Sequence, residues 1–232
     1  MAHTADDCHQ QAIADMIGLA FFFLLRPGEY TDSPSDTVCF RLTDVQLSIG
    51  TLKIDYATAS IPLLQSATFA TLTFTNQKNG VRGEVIGLGL SGNPLLCPVK
   101  ILVRRLLHLR AHNAPLTTPL ATCYTTDGRL AIKPADITAS LRRSVSLIGP
   151  AALGFLPQDI SARSLRASGA MALLCAEVDT HIIRLIGRWQ SDTMLRYLHV
   201  QAEPVMRNFA RNMLQHGDFV LHPNHDVPQL AQ

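Results

Sequence analysis

Apolar positions change their spacing along the chain, and the change separates helical from extended segments. Apolar residues recur at helical spacing over residues 7–25, and this run stops at Arg26-Pro27-Gly28. Proline and glycine together favour a turn or the start of a new helix. We therefore predict one helix over residues 7–25, with Arg26 at its end.

Short runs typical of β-strands come next. Threonine alternates with Ala, Leu and Phe over residues 68–75, which is the pattern of a half-buried strand. Asn79-Gly80 precedes another such run and is a hairpin signal, which places Lys78 at the hairpin tip. The predicted strands are residues 38–42, 45–49, 52–54, 68–75 and 83–90.

The rest of the chain carries helical patterns that begin at proline or a capping residue and end at glycine. The predicted helices are residues 98–112, 134–148, 165–176, 180–186, 191–197 and 204–216. We therefore predict one α+β domain over residues 8–215, mainly helical with a small antiparallel sheet, and a flexible tail over 216–232. The last helix either docks on a neighbouring subunit or folds back on its own core.

Composition excludes several classes of protein. The 232 residues are 47% apolar and 16% charged, whereas a disordered chain needs more charge. The longest apolar run, residues 16–25, is about half the length of a membrane span, so we expect no membrane partner. The start lacks a secretory pattern, and the five cysteines form no Cys-x-x-Cys pair. These features favour reduced thiols and an intracellular location.

The distribution of charge is more informative than its sum. Residues 1–75 hold three basic and eight acidic side chains, whereas residues 76–232 hold seventeen basic and ten acidic ones. Sixteen of the twenty basic residues are arginine, whose planar fork matches phosphate oxygens. On charge alone, solvated helix faces are the favoured explanation, so a phosphate site must rest on specific residues.

Metal and cofactor motifs are not evident in the sequence. His216, His222 and His225 lie in the tail without a cysteine or a His-Glu-x-x-His pattern to support a zinc site. The glycine-rich run over residues 83–92 lies in the predicted hairpin and indicates turns rather than a nucleotide loop. We therefore expect neither a metal nor a cofactor.

A set of basic residues and one tyrosine, far apart in sequence, carries the candidate chemistry. Its motifs are LLRPGE, the hairpin lysine, SARSLRASGAMALL and RLIGRWQSDTMLRYLHV. The set resembles the catalytic domain of tyrosine recombinases, the phage-integrase family, and is most similar to those of eukaryotic DIRS- and Crypton-type mobile elements. The resemblance covers about residues 10–214 and is most specific over 160–200. The candidate catalytic residues are Arg26, Lys78, Arg163, Arg166, Arg188 and Tyr197.

The resemblance implies a site-specific DNA recombinase or integrase with the fold of DNA breaking-rejoining enzymes. Arg26 and Arg166 would clamp the nonbridging oxygens of the scissile phosphate, and Tyr197 would attack it to form a 3′-phosphotyrosyl link. Lys78 would protonate the departing 5′ oxygen. Such a site needs no cofactor, since fixed guanidinium groups stabilise the developing charge.

The chain departs from the family pattern at two positions. Arg163 occupies the histidine position of the usual His-x-x-Arg motif, and Arg188 occupies a position that is commonly His or Trp, with Trp189 following it. Arginine donates hydrogen bonds but does not act as a base near neutral pH. We also detect no amino-terminal core-binding domain.

We therefore expect a partner of double-stranded DNA, a homo-multimer on that DNA, and a nuclear location if the source is eukaryotic. Two other hypotheses remain open. A degenerate or domesticated copy would bind DNA without cleaving it, and a scaffold would use the fold only for protein interaction.

Overall fold

A computed structural model describes residues 5–34, 38–75, 83–191 and 194. Within these ranges the chain is mixed α and β, which confirms the predicted α+β composition. The helices are α1 (Ala5–Phe22), α2 (Pro27–Tyr30), α3 (Ile61–Gln65), α4 (Pro98–Ala111), α5 (Pro134–Ile148), α6 (Pro150–Leu153), α7 (Ser164–Cys175) and α8 (Thr180–Gly187). The strands are β1 (Val45–Ile49), β2 (Leu52–Ile54), β3 (Phe69–Phe74), β4 (Glu84–Gly89), β5 (Thr122–Thr125) and β6 (Gly128–Ala131).

Four strands form an antiparallel sheet in the order β2-β1-β3-β4. The β3–β4 pairing runs from Phe69–Gly89 to Phe74–Glu84, so the predicted hairpin is confirmed. The Gly83 N–H donates to the Phe74 carbonyl oxygen at 2.9 Å and closes the base of the hairpin. Residues 76–82, which include Lys78, lie outside the described residues.

The predicted strand over residues 38–42 is wrong. Residues 38–40 have no regular structure, and a 3-10 turn begins at Leu42. The Phe40 backbone bonds Glu29 on one side and Leu120 on the other, but neither neighbour belongs to a strand. The segment is apolar because Phe40 and Leu42 are buried in the core, not because it belongs to a sheet.

Helix α1 is the element around which the others pack. Its contacts reach α4, β5, α7, α5 and α2. Its buried face joins the main hydrophobic core with residues from the sheet and from α4. A second, smaller cluster contains Leu24, Ala170, Ile183 and Met194 and joins the end of α1 to α7 and α8. The carboxyl end of α1 therefore lies where the two clusters meet.

Close approach of α7 to this end of α1 depends on Gly169. A Cβ atom at Gly169 would overlap the backbone carbonyl oxygen of Phe21. The predicted helices at 165–176 and 180–186 are confirmed within one residue at each end. Of the predicted 191–197 helix, only Ser191 and Met194 belong to the described residues, and the last helix and the tail lie outside them. None of the described helices has the length and apolarity needed to cross a membrane.

Candidate active site

The candidate site is organised by the turn that follows α1. Leu24 adopts a left-handed backbone conformation with φ of 51°. The Leu25 N–H donates to the Ala20 carbonyl oxygen at 3.0 Å, which caps the helix in the manner usually found with glycine. This conformation costs a leucine about 1–2 kcal/mol. The turn leaves the Leu24 carbonyl free to accept hydrogen bonds from distant side chains.

Arg26 lies two residues further on, at the start of α2, and is held by Glu29. The Glu29 carboxylate accepts a bond from the Arg26 backbone N–H at 2.7 Å and one from its guanidinium at 3.1 Å. The Glu29 residue is 1% exposed, whereas the Arg26 side chain is 29% exposed. Arg26 is thus fixed on its inner side and open to solvent on its outer side.

Arg166 reaches the same turn from α7. Its guanidinium donates to the Leu24 carbonyl oxygen at 3.1 Å and also bonds the Gly187 carbonyl oxygen. It lies over the Trp189 ring, 4.3 Å from the ring centroid, in cation–π geometry. A Cβ atom at Gly187 would overlap this ring, so glycine is required for the tryptophan to reach Arg166.

Arg188 is directed into the protein. Its backbone is left-handed, with φ of 58°, at the carboxyl end of α8. Its side chain is 1% exposed. Its guanidinium donates to four acceptors, which are the carbonyl oxygens of Phe23 at 3.3 Å, Leu24 at 3.3 Å and Ile186 at 3.0 Å, and the carboxylate of Glu29 at 2.8 Å. Burial lowers the pKa of Arg188 from its usual value, and the Glu29 charge opposes this effect.

The face of the Arg188 guanidinium is also covered. It lies over the Phe74 ring, with its central carbon 3.7 Å from the ring centroid. Phe74 is the last residue of β3. Arg188 therefore connects the end of α8 to the strand that enters the hairpin.

Arg163 immediately precedes α7 and is exposed. Two hydrogen bonds, one buried and one partly buried, fix the backbone beside it. The Tyr30 hydroxyl donates to the Ala162 carbonyl oxygen at 2.9 Å, and the Ala162 N–H donates to the Thr138 hydroxyl at 3.1 Å. Arg163 and Pro27 line one cavity of about 420 Å³, so Arg163 lies beside the segment that carries Arg26.

Three of the six predicted residues are therefore tied to one turn: Arg26, Arg166 and Arg188 are bonded through Leu24 and Glu29. Arg163 lies beside them, and its side chain has no ion pair or hydrogen bond with another described residue. The other two predicted residues, Lys78 and Tyr197, lie outside the described residues.

Sequence analysis did not identify Glu29 or Phe74. The signal for Glu29 is its position three residues after Arg26 at a helix start, which is the spacing of a capping box. Phe74 ends an ordinary alternating strand and carries no comparable signal. The remaining determinant, the Leu24 carbonyl, is a backbone group that any residue type would supply.

No known protein family matches the chain, and no curated protein resembles it closely enough to indicate a relationship. In the described part of the chain, no three side chains of His, Cys, Asp or Glu are grouped so as to hold a metal ion.

Proposed function

We propose that this protein is a DNA strand transferase of the tyrosine-recombinase type. It cleaves and rejoins double-stranded DNA through a 3′-phosphotyrosyl intermediate, as a homo-multimer on paired sites, and derives from a mobile element. The observation that carries the proposal is the meeting of Arg26 and Arg166 at one turn. Arg166 bonds the carbonyl oxygen of Leu24, two residues before Arg26, across 142 positions of sequence.

This arrangement suits a phosphodiester. Charge builds on the nonbridging oxygens as the phosphorus is attacked, and donors that are already fixed stabilise it without reorganisation. Glu29 fixes the inner side of Arg26, and the Leu24 and Gly187 carbonyls fix Arg166. Two guanidinium groups held in this way supply the electrostatic part of the reaction.

In the cleavage step the Tyr197 oxygen forms a bond to phosphorus, and the bond from phosphorus to the 5′ oxygen breaks. The phenol loses its proton to solvent water, and Lys78 gives a proton to the departing 5′ oxygen. A free phenol has a pKa of about 10, so positive charge beside it is needed to favour the phenolate. Arg163 contributes such charge but does not accept the proton. Rejoining is the reverse reaction, with a 5′ hydroxyl as the nucleophile.

The test is incubation with nicked suicide DNA substrates, which trap the covalent intermediate. We expect a protein–DNA adduct in the wild type and none in Tyr197→Phe. The matched control is Tyr124→Phe, since Tyr124 is a half-buried residue of β5 outside the site. An adduct that persists in Tyr197→Phe would show that another residue is the nucleophile.

A second function, DNA binding without cleavage, is favoured by the chemistry of Arg163. An exposed arginine stands where the family has a histidine, and it cannot take the phenol proton. If this function is correct, the wild type does not form the adduct and Arg163→His restores it. Cleavage by the wild type at a rate equal to that of Arg163→His would exclude it.

The salt dependence of DNA binding separates both functions from a protein-interaction scaffold. Each phosphate contact adds about 0.9 to the slope of log affinity against log salt. A steep slope is expected for the strand transferase and for a protein that binds DNA without cleaving it. A flat response, or no binding, would favour the scaffold.

A further inference from the structure

We infer that Arg188 is a positioning residue, which binds protein groups instead of DNA phosphate and couples Arg26 to the strand that leads to Lys78. This role rests on the proposed function, because it assigns Arg26 and Lys78 to the reaction. It departs from the role that the sequence motif implies for Arg188. The contacts of its guanidinium, not the motif, carry the inference.

The hydrogen-bonding capacity of Arg188 is used within the protein. A guanidinium has five N–H groups, four of them on the two terminal nitrogens. These four point to the acceptors at Phe23, Leu24, Ile186 and Glu29. The fifth, on Nε, is buried and has no acceptor among the described residues. A phosphate would have to displace one of these four acceptors or reach the buried Nε of a side chain that is 1% exposed.

The electrostatic surroundings of Arg188 are those of a cation site. Phe23 and Leu24 directly follow α1, and Ile186 lies in the last turn of α8, so two helix carboxyl ends face the guanidinium. These ends carry partial negative charge. Glu29 adds a full negative charge at 2.8 Å. These groups are the counter-charges of Arg188, whose side chain is 1% exposed and leaves little room for a DNA phosphate, whereas the Arg26 side chain is 29% exposed.

Arg188 contacts two segments that carry proposed catalytic residues. On one side it bonds Oε2 of Glu29, the atom that also accepts the Arg26 backbone N–H. On the other side it covers Phe74, which closes the base of the hairpin through Gly83. Lys78 lies four positions after Phe74 in the sequence. A change at Arg188 therefore affects the placement of Arg26 and of the base of the hairpin together.

The first experiment measures the salt dependence of DNA binding for Arg188→Gln and Arg163→Gln. Loss of a phosphate contact lowers the slope by about 0.9. Arg163 is exposed and free to contact a phosphate, so we expect Arg163→Gln to lower the slope by this amount and Arg188→Gln to leave it unchanged. Under single-turnover conditions we expect Arg188→Gln to slow cleavage about 10-fold or more without raising the half-saturating DNA concentration. A slope lowered by about 0.9 in Arg188→Gln would overturn the inference.

Rescue by the conservative variant adds a second readout. Arg188→Lys keeps the charge beside Glu29 but cannot reach four separated acceptors, so we expect partial recovery of the cleavage rate. Full activity in Arg188→Gln would also overturn the inference, because positioning would then be unnecessary.

The last experiment needs no DNA and separates this inference from the proposed function. A double-mutant cycle with Glu29→Gln and Arg188→Met is followed by urea unfolding. Coupled partners give a non-additive result, and we expect a coupling of about 10-fold or more in the unfolding equilibrium constant. If the wild type neither binds nor cleaves DNA, the proposed function fails while strong coupling still supports the internal role of Arg188. Additive effects would overturn that role, whatever the activity.

Discussion

The carboxylate of Glu29 and the guanidinium of Arg188 are 2.8 Å apart, and their side chains are 2% and 1% exposed. The two residues are 159 positions apart in sequence. Their pairing joins the turn after α1 to the end of α8. These two segments carry arginine motifs of the candidate site. An ion pair at this depth is costly to break, because removing one partner leaves the other charged and buried.

Glu29→Ala is therefore expected to destabilise the protein strongly. Loss of one partner of a buried pair costs about 3–5 kcal/mol in the free energy of unfolding. Urea unfolding followed by circular dichroism measures the change. The control is Asp136→Ala, since Asp136 accepts the Lys133 backbone N–H at 2.8 Å in an exposed capping box at the start of α5. We expect that change to cost about 1 kcal/mol, because water replaces the lost bond. Equal costs would contradict the structural role of Glu29.

The bond from the Tyr30 hydroxyl to the Ala162 carbonyl links α2 to the residue before Arg163. Tyr30→Phe removes the donor and leaves a buried carbonyl without its partner, at a cost of about 1–3 kcal/mol. The matched control is Tyr56→Phe, because the Tyr56 hydroxyl oxygen is buried with no partner among the described residues. We expect that change to be neutral or slightly stabilising. Thermal unfolding measures the stability of both variants. A smaller loss of stability in Tyr30→Phe than in Tyr56→Phe would contradict the stabilising role of the bond from Tyr30 to Ala162.

Local signals predicted the longer helices but missed the short helices α3 and α6, and the helix predicted over residues 7–25 ends at Phe22. Pro134 and Gly149 delimit α5, and its predicted and observed bounds agree. The prediction of a strand over residues 38–42 was wrong because a strand must pair with a neighbouring strand. The local sequence pattern carries no information about that pairing partner. The β5–β6 hairpin was missed although Asp127-Gly128, at its turn, is a typical signal, because the flanking runs lack clear alternation.

The features of the candidate site were likewise predicted only in part from the sequence. Motifs identified Arg26 and Arg166, and the structure brings both to the Leu24 turn. The inward direction of Arg188 was not predictable, because it depends on a left-handed backbone at that residue and on acceptors more than 150 positions away. Sequence identifies which residues are charged, but their packing partners decide which of them face solvent.

Gly169 is expected to be intolerant of a side chain. A Cβ there would overlap the Phe21 carbonyl oxygen, which is a backbone atom at the end of α1 and cannot turn aside. We expect Gly169→Ala to cost about 1–3 kcal/mol, as overpacking does. Gly18→Ala is the control, since its Cβ would meet Cδ1 of Ile101 at 2.5 Å, the flexible end of a side chain. At Gly18 the gain of about 1 kcal/mol in helix propensity offsets the strain of this side-chain contact. Chemical unfolding should therefore give a larger loss for Gly169→Ala, and the reverse order would contradict the close approach of α7.

His108 makes the stability of the fold depend on pH. Its Nε2 atom accepts the Tyr124 backbone N–H at 2.9 Å, so the folded protein requires the neutral imidazole. Burial, reinforced by the positive charges of Arg105 and His112, lowers the pKa of His108 to about 4. In the unfolded chain the pKa is about 6.5.

Because the folded pKa of His108 is the lower one, its contribution is fully present above pH 6.5 and is lost as the pH falls towards 4. We expect the free energy of unfolding to decrease by about 1–3 kcal/mol over this window, measured by urea unfolding at a series of pH values. In His108→Gln that decrease should shrink, because the titrating group is gone. His181→Gln, at an exposed position of α8, should retain the wild-type profile. A profile that is unchanged in His108→Gln would mean that another group is responsible, and that the His108–Tyr124 bond does not control acid stability.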